Sequence, residues 1–448
     1  MNQINPSIFK AYDIRGIYPG DINEEVAYAI GQAYAKFLNP KKVVLGRDVR
    51  LSGPQLWEAV KNGLTDHGVD VVDIGVVSTD MMYFAVANYG FDGGLTVTAS
   101  HNPREYNGMK MVRAKGAPIS GDSGIMDIRD LVVSGYKFEA PKKGLVEKMQ
   151  IIDDYISKAL SVIDVTKIRP FKVVANTNFG TTGPLLEKFT ASLPLTLKVI
   201  NGEPNGEFPK GRPDPLIPEN RNETMQLVRS EGADLGVMWD SDADRCFFID
   251  ETGRFLSGYF TSAILADYFL KKYPKSKVVV DMKLNRAIID VVNSGGGKAL
   301  PNKTGHSFFK ERMILEDAVF GGEVSGHYFF KDYFYLDNGL IPFLLILEIL
   351  STSGKKLSEI YDPLFAKYFA IEETNVTVAD VPAVIERLTQ TYHDAQVSFI
   401  DGISIEYPAW RASVRPSNTE ALIRLNMEAT DPETLKQKTQ EILELIQK

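Results

Sequence analysis

Three short apolar runs of the chain are alike, and each predicts a buried strand. They are Lys42–Asp48 (KVVLGRD), Lys172–Asn176 (KVVAN) and Lys277–Lys283 (KVVVDMK). Each is continuously apolar, rich in β-branched residues and ends in polar ones, which is typical of a strand buried on both faces of a sheet. The runs recur at roughly domain-sized spacing, about 100 residues. This repetition favours three related units.

Each run is followed by a helical pattern, at Pro54–His67, Gly183–Phe189 and Leu284–Val292. A second apolar segment comes next, clearest at Val69–Ile74 and Thr196–Ile200. The order strand, helix, strand is that of a βαβ unit, in which the two strands are parallel. We therefore predict an α/β fold built as a threefold internal repeat.

A closing strand in each repeat runs into a polar loop. The three strand and loop pairs are Gly94–Thr98 with Ala99–Asn102, Ala233–Trp239 with Asp240–Arg245, and Ala318–Phe320 with Glu323–His327. Ligands of open α/β sheets bind beyond the carboxyl ends of the strands. We expect the chemistry of this protein in these three loops.

The chain changes character from about Ala370. Alternating apolar residues at 373–378 predict a half-buried strand, and Pro432–Gln447 predicts a closing helix. This pattern favours a smaller α+β fourth domain, with a lysine-bearing linker at 134–148 after the first domain. The predicted domains are residues 1–148, 149–252, 253–367 and 368–448.

Composition narrows the classes of function. The 448 residues are 44% hydrophobic and 24% charged, as in ordinary globular proteins, and exceed the size of a single core. The net charge of −8 has the wrong sign for a main partner that is nucleic acid or an anionic membrane. We expect neither as a partner.

Three features of the sequence bear on the cellular compartment of the protein. The single cysteine, Cys246, excludes an intramolecular disulfide and fits a reducing compartment. The longest apolar stretch, Leu340–Leu350, is too short to cross a bilayer, and residues 1–16 lack the basic and apolar regions of a signal peptide. We expect a cytoplasmic protein.

Ser100 is the first candidate for chemistry. It lies in Thr98–Pro103 (TASHNP), followed by Asn107–Lys110 (NGMK). A serine can act as a nucleophile when a base or a positive charge lies beside it, and Lys110 could supply one. A helix cap or turn serine is the alternative. The G-x-S-x-G pattern is absent, which weakens an esterase interpretation.

The second candidate is an acidic loop with carboxylates at alternate positions, Asp240, Asp242 and Asp244. Three carboxylates this close repel one another unless a cation lies between them, which indicates Mg²⁺ or Ca²⁺. A solvated acidic turn is the alternative. Arg245 next to them suits a phosphoryl group, or simply pairs with its neighbours.

Two further loops could bind a sugar phosphate. Glu323 and Ser325, in a glycine-flanked loop, could hydrogen-bond vicinal hydroxyls, or form an ordinary turn. Arg411 and the segment Arg415–Glu420 (RPSNTE) could hold a phosphate, or be a solvated surface. Groups that could bind anions or move protons complete the set: His101, His306, His327 and Lys283.

Taken in order, these motifs resemble the α-D-phosphohexomutase superfamily, most closely its phosphomannomutase/phosphoglucomutase branch. The resemblance covers nearly the whole chain. The matching segments are Lys10–Gly16 (KAYDIRG), Gly46–Asp48 (GRD), TASHNP with NGMK, Asp240–Arg245 (DSDADR), Lys303–Lys310 (KTGHSFFK), Gly322–His327 (GEVSGH) and RPSNTE.

The resemblance implies three related α/β domains and a C-terminal domain similar to the TATA-box-binding protein, around a central cleft. It also implies Mg²⁺ as cofactor, small sugar phosphates as partners and a hexose 1,6-bisphosphate as intermediate and activator. The implied reaction transfers a phosphoryl group from a phosphoserine to the sugar and then takes the other phosphoryl group back.

The same resemblance implies roles for individual residues. Ser100 is the phosphoserine, held with Mg²⁺ by Asp240, Asp242 and Asp244. Lys110 and Arg245 lie near the reacting group, with Lys110 as candidate general base. Glu323 and Ser325 bind sugar hydroxyls. The remaining implied contacts are Arg415, Ser417, Asn418 and Thr419 with the phosphate that does not react, and Tyr12, Arg15, Lys283, His101, His306 and His327 in support.

Departures from the family pattern leave the sugar open. Val324 decides neither for the mannose and glucose branch nor for phosphoglucosamine mutases, whereas Asn418 favours the former. Ser241 replaces a frequent glycine, and residues 176–180 replace a more glycine-rich loop. Phosphoglucosamine mutase is the first alternative, a Mg²⁺-dependent sugar phosphatase the second, and a non-enzymatic sugar-phosphate sensor the third. We expect a monomer or a small homo-oligomer.

Overall fold

The computed structural model describes residues 4–416 and 422–448. The chain forms two compact units. The first contains the chain up to Leu256 together with His327–Leu357, and the second contains Ser257–Gly326 and the chain from Ser358 onward.

A six-stranded mixed sheet forms the first domain. Its strands are β1 (Ile14–Ile17), β2 (Lys42–Arg47), β3 (Asp70–Val76), β4 (Gly93–Val97), β5 (Tyr106–Arg113) and β6 (Val146–Lys148), in the order β1-β5-β4-β2-β3-β6. Its helices are α1 (Glu24–Leu38), α2 (Gly53–Asp66), α3 (Thr79–Tyr89) and α4 (Met126–Val133). Strands β4, β2, β3 and β6 are parallel. Strand β5 pairs antiparallel with β4, and β1 pairs antiparallel with β5.

Two glycines allow α1 and α2 to pack closely. A Cβ on Gly31 of α1 would lie 2.6 Å from the carbonyl oxygen of Val60, and one on Gly63 of α2 would lie 2.3 Å from that of Tyr28. Because neither glycine carries a side chain, the two backbones meet directly. The close contact sets the distance between α1 and α2, and α2 is the helix that precedes β3.

The second domain has a five-stranded sheet in the order β11-β10-β9-β7-β8. Its strands are β7 (Phe171–Asn176), β8 (Leu195–Ile200), β9 (Leu235–Trp239), β10 (Cys246–Asp250) and β11 (Phe255–Leu256), and its helices are α5 (Ile152–Leu160), α6 (Gly183–Thr190) and α7 (Pro218–Glu231). Strands β9, β7 and β8 are parallel. Strand β10 pairs antiparallel with β9, and β11 pairs antiparallel with β10.

The third repeat has parallel strands in the order β13-β12-β14, all in the second unit. They are β12 (Lys277–Asp281), β13 (Lys298–Asn302) and β14 (Phe320–Gly322), with helices α8 (Gly258–Lys272), α9 (Arg286–Ser294) and α10 (His306–Glu316). The segment after them forms an antiparallel pair, β15 (Tyr328–Phe330) and β16 (Leu336–Asp337), and the apolar helix α11 (Ile341–Ser353). Helix α12 (Leu357–Phe365) follows.

An antiparallel sheet in the order β17-β21-β20-β19-β18 forms the C-terminal domain. Its strands are β17 (Phe369–Thr377), β18 (Gln396–Ser398), β19 (Ile403–Glu406), β20 (Trp410–Pro416) and β21 (Leu422–Ala429), with helices α13 (Val381–Thr391) and α14 (Pro432–Gln447). Buried residues of both helices share a core with the sheet, among them Leu388 and Ile442. This domain is α+β.

The predicted fold class is confirmed. In all three repeats the lysine-led run is the central strand of a parallel triplet, β4-β2-β3, β9-β7-β8 and β14-β12-β13. The predicted linker at 134–148 differs from the structure, because β6 adds to the sheet edge there. All residues of β6 are exposed, so its sequence lacks the apolar signal of a strand. The predicted domain boundaries stay predictions.

Gly108→Ala tests the close pairing of β5 with β1. A Cβ on Gly108 would lie 1.9 Å from the carbonyl oxygen of Ile14, a backbone atom that cannot move aside. We expect the variant to lose at least about 2 kcal/mol of stability by overpacking, measured by urea unfolding. Gly20→Ala is the control, because the nearest atom to its Cβ is 4.0 Å away. Equal midpoints for the two variants would contradict this packing.

Candidate active site

Ser100 lies three residues after β4 in the left-handed backbone region, with φ of 49°. That conformation is unfavourable for a serine and persists only where the surroundings hold it. Its N–H donates to Thr98 Oγ1 at 2.9 Å. The Ser100 hydroxyl oxygen lies 2.8 Å from Asp240 Oδ2 and 3.1 Å from His101 Nδ1. The loop therefore points the serine hydroxyl at the acidic loop of the second domain.

The acidic loop joins β9 to β10. Carboxylate oxygens of Asp240, Asp242 and Asp244 lie within 4.8 Å of one another, and all three side chains are fully buried. The Ser241 hydroxyl between them donates to the carbonyl oxygen of Ser100 at 2.7 Å. The serine loop and the acidic loop are thus joined through both backbone and side chain.

Lys110, on β5, is the cation nearest these carboxylates. Its Nζ lies 2.8 Å from Asp242 Oδ2 and also donates to Asp244 Oδ2. Burial alone would lower the pKa of Lys110, but the Asp242 and Asp244 carboxylates outweigh it and raise that pKa. Lys110 is therefore an ammonium ion in this arrangement.

The pKa values of two of these carboxylates are shifted in opposite directions. Burial and the neighbouring Asp242 carboxylate raise the pKa of Asp240 well above its usual range. Burial also acts on Asp244, but Lys110 and His327 outweigh it and hold the pKa of Asp244 well below that range. The ionised form of Asp240 is thus disfavoured among the chain's own groups, whereas that of Asp244 is stabilised.

The donor set fits a divalent cation. Asp242 Oδ1 is buried and accepts no hydrogen bond from the described residues. Its other oxygen accepts from Lys110 and from the hydroxyl of Thr79 at 2.6 Å. Clustered carboxylate oxygens are the hard ligands that Mg²⁺ prefers. A metal would take up the unused acceptor and offset the excess negative charge.

Other predicted residues of the first unit border this cluster. Arg245 Nε lies 3.9 Å from Asp240 Oδ2, and His327 Nε2 lies 3.3 Å from Asp244 Oδ1. Arg15 pairs with Asp13 at 2.7 Å and donates to the side chain of Asn102 in the serine loop. Tyr12 is partly buried just before β1.

His101 follows the serine directly. Burial and the nearby guanidinium groups of Arg245 and Arg15 lower its pKa well below the usual value, so the ring is neutral. Its carbonyl oxygen accepts from Arg212 Nε at 2.9 Å. A neutral imidazole beside the Ser100 hydroxyl can accept or donate a hydrogen bond.

The second unit brings together another set around Asp281, at the end of β12. The Asp281 carboxylate lies 3.6 Å from Lys283 Nζ and accepts from the Thr304 hydroxyl at 2.9 Å and from the Val324 N–H at 3.1 Å. Glu323, nearly fully buried, accepts from the Gly305 N–H at 2.8 Å. These bonds join the loops of Lys283, Thr304 and Glu323.

Arg415 of the C-terminal domain approaches the same set. It lies 3.5 Å from Asp401, which also accepts from the Thr304 N–H at 3.1 Å, and 2.7 Å from Glu373. His306 is buried at the start of α10, and Ser325 is partly exposed beside Glu323. The predicted Ser417, Asn418 and Thr419 lie outside the described residues.

Several residues that hold the candidate site are not predicted by the motifs of the sequence. Thr79 begins α3, and its N–H donates to the Asp242 carbonyl oxygen at 3.0 Å in addition to its hydroxyl contact. Arg50 also supports the serine loop, through the carbonyl oxygen of Ser100. The only available signal was position, because these residues stand at or just beyond strand ends where ligands collect.

Four consecutive segments of the chain match the domains of one enzyme family. Phosphoglucomutase/phosphomannomutase alpha/beta/alpha domains I, II and III match residues 6–134, 153–253 and 257–368. The C-terminal domain of the same family matches residues 373–445. The chain belongs to the phosphoglucomutase/phosphomannomutase family. The resemblance inferred from the motifs is confirmed.

Relatives and solved structures agree with this assignment. A phosphomannomutase of Escherichia coli is 41% identical over 449 residues, covering 98% of each chain. Phosphohexose mutases of Xanthomonas campestris are 42% identical over 441 residues, covering 98% of each chain. A Burkholderia thailandensis family member of known structure aligns with a TM-score of 0.89 at 33% identity, covering 99% of this chain and 97% of its own. The protein is a phosphohexomutase, an intramolecular phosphotransferase.

Among the described residues, none of the helices is both long and apolar enough to cross a membrane.

Asp242→Asn tests the metal site. The substitution removes one charge from the three carboxylates, so we expect affinity for Mg²⁺ or Mn²⁺ to fall at least about 10-fold in calorimetric titration. Glu203→Gln, an exposed neutralisation in the same domain, is the control and should leave affinity unchanged. Equal affinities of both variants and the parent would exclude this cluster as the metal site.

Asp80, the second residue of α3, predicts a pH dependence of stability. Burial raises its pKa to about 7, although hydrogen bonds from Ser78 and Tyr155 oppose the shift. The folded chain then binds a proton at Asp80 that the unfolded chain has released, so this group's contribution to stability falls as pH rises from about 4 to about 7. We expect Asp80→Asn to flatten that fall in urea unfolding without added metal.

Asp130→Asn is the control for this measurement, because Asp130 is exposed on α4. Its unfolding profile should keep the slope of the parent. If Asp80→Asn keeps that slope too, Asp80 does not titrate in this range.

Proposed function

We propose that the protein is a Mg²⁺-dependent phosphomannomutase/phosphoglucomutase. It interconverts hexose 1-phosphates and hexose 6-phosphates through a phosphorylated Ser100 and a hexose 1,6-bisphosphate. Relatives named phosphomannomutase and phosphohexose mutase support this choice of substrates.

One observation carries the proposal. The Ser100 hydroxyl lies 2.8 Å from Asp240 in a fully buried set of three carboxylates. A serine there would ordinarily be a poor nucleophile, because the surrounding negative charge disfavours an alkoxide and a phosphate alike. The Ser100 hydroxyl could carry a phosphate at this position if the three carboxylates also bound a divalent cation, which would offset their negative charge. Phosphoryl transfer is the reaction that most needs such a cation.

Asp240, Asp242 and Asp244 would hold the metal. When bound, Mg²⁺ supplies charge neutralisation for a phosphate on Ser100. The carboxylates fix its place, and Ser241 holds the backbone of the serine loop through the Ser100 carbonyl oxygen. Arg245, at the border of the cluster, would add a fixed positive charge for the phosphoryl oxygens.

The proposed reaction has two balanced transfers. A sugar hydroxyl attacks the phosphorus of phospho-Ser100 and gives its proton to a base. The bond from phosphorus to Ser100 Oγ breaks, and Ser100 Oγ takes up a proton to become the free hydroxyl. The sugar then carries two phosphates. In the second transfer Ser100 Oγ attacks the other phosphate and loses its proton, and the oxygen released on the sugar regains one.

Lys110 remains the proposed general base, under one condition. It must lose its proton, and its ion pairs with Asp242 and Asp244 oppose that loss. Engagement of both carboxylates by a cation would weaken those pairs and lower the pKa of Lys110. His101 and His327 are neighbouring imidazoles that could carry the proton further.

The loops of the second unit are proposed to bind the sugar phosphate. Glu323 and Ser325 would bind hydroxyls at positions 3 and 4, which leaves the configuration at C2 unrecognised and admits both mannose and glucose. Arg415, with Ser417, Asn418 and Thr419, would bind the phosphate that does not react. Lys283 and His306 are proposed as further substrate-binding residues of the second unit, and Tyr12 and Arg15 as substrate-binding residues of the first.

A competition experiment tests the function. The protein is incubated with Mg²⁺, a trace of glucose 1,6-bisphosphate, and equal amounts of mannose, glucose and glucosamine 1-phosphates, and the products are followed by ³¹P NMR. We expect 6-phosphates of mannose and glucose without inorganic phosphate. Dominant glucosamine conversion would replace the proposal with a phosphoglucosamine mutase, and inorganic phosphate alone would indicate a phosphatase.

Ser100→Ala provides the mechanistic control. It should lower turnover by at least about 10,000-fold and abolish the gain of one phosphoryl mass seen on the parent after incubation with glucose 1,6-bisphosphate. Ser134→Ala, an exposed serine of the same domain, should change neither. A parent that never gains this mass would contradict the phosphoserine mechanism.

A further inference from the structure

A buried arginine, Arg50, holds the loop that carries Ser100. Its side chain has essentially no contact with solvent. Nη1 donates to the carbonyl oxygens of Pro103 at 2.7 Å and Tyr106 at 2.9 Å. Nη2 donates to those of Ser100 at 2.6 Å and Asn102 at 2.7 Å. One side chain thus contacts most of the length of the loop between β4 and β5.

Asp48 ties this arginine to the start of the same loop. Its Oδ2 lies 3.2 Å from Arg50 Nε and accepts from the Thr98 hydroxyl at 2.7 Å. Thr98 Oγ1 in turn accepts from the Ser100 N–H. The N–H and the carbonyl oxygen of Ser100 are therefore both held, directly or through one intermediary, by the segment after β2.

The chemistry of this contact requires an arginine. The two Nη groups of a guanidinium carry four hydrogens in one rigid plane, and four carbonyl oxygens lie within hydrogen-bonding distance of them. A lysine carries three hydrogens on a single atom and cannot span the same acceptors. Without the guanidinium, the partly buried carbonyl groups of Asn102, Pro103 and Tyr106 would lose a donor, and the buried one of Ser100 would keep the Ser241 hydroxyl but lose Arg50. Such losses would favour another loop conformation.

We propose that Arg50 is a positioning residue for phosphoryl transfer. It holds residues 100–106 so that the Ser100 hydroxyl stays beside Asp240 despite the unfavourable φ of Ser100. It reaches the loop through backbone carbonyl oxygens and acts on the reaction only through Ser100. This inference rests on the proposed function, since it concerns the rate at which Ser100 gives and takes the phosphoryl group.

Arg50→Lys tests the proposal, because the variant keeps the positive charge near Asp48 and loses the planar fork. We expect kcat to fall about 100-fold, the loss that a misplacement of about 1 Å can cause. The KM for the hexose phosphate should change less than about threefold, because the sugar-binding loops are untouched. In hydrogen exchange, protection should fall in residues 98–107 and stay unchanged in β2, β3 and α2.

Arg104→Lys is the matched control. Arg104 lies in the same loop, but its side chain is 65% exposed and pairs with Glu207 at the surface. We expect neither kcat nor exchange to change. Asp48→Asn is a second variant with a smaller expected effect. It weakens the contact to Arg50 Nε and keeps the four hydrogen bonds from Arg50 to the carbonyl oxygens. It should lower kcat about 10-fold, again without a matching change in KM.

Two results would overturn the inference. One is an Arg50→Lys variant with the kcat of the parent. The other is a loss of protection throughout the first sheet with a lower unfolding midpoint, which would make Arg50 a general stability residue. Failure of the proposed function would be seen separately, as absence of mutase turnover in the parent itself.

Discussion

Three carboxylates buried at the end of β9 impose the main physical constraint on the first unit. Their desolvation is unfavourable, and only specific partners make it tolerable. Lys110 comes from β5, Thr79 from the start of α3 and the Ser100 hydroxyl from the loop after β4, so elements of the first domain stabilise charges of the second. The proposed metal affinity, the protonation of Lys110 and the position of the Ser100 hydroxyl therefore cannot vary independently. A substitution in any one of these elements changes the electrostatic environment of the others.

The buried central strands are the part of the fold that the sequence predicts most clearly. The central strands β2, β7 and β12 are recognisable because strands covered on both faces need continuous apolar, β-branched sequence. The edge strand β6 has no such requirement, so its exposed sequence predicts a linker instead. Strand β13, which contains Pro301, carried no clear signal either, because it lies at the end of the parallel triplet and its residues are mostly half-exposed.

The site was predictable where chemistry is local in sequence. The acidic loop is conspicuous because it has carboxylates at alternate positions, and their mutual repulsion is unfavourable without a cation between them. These are Asp240, Asp242 and Asp244. Thr79 was not singled out, because it is an ordinary helix-start threonine until the fold brings it to Asp242, 163 residues away. Arg50 was likewise overlooked, since nothing near it in sequence reveals the four carbonyl oxygens it will meet.

The carbonyl oxygen of Ser100 accepts from both Arg50 Nη2 and the Ser241 hydroxyl. An oxygen with both lone pairs engaged fixes the plane of its peptide group, so the serine retains only rotation of its own side chain. If Ser100 is the nucleophile, as proposed, a hydroxyl on so fixed a backbone cannot move between the two ends of a ligand. Any ligand that must present two different oxygens to Ser100 has to do the turning itself, and the protein's task is then to keep hold of a molecule while it is reversed.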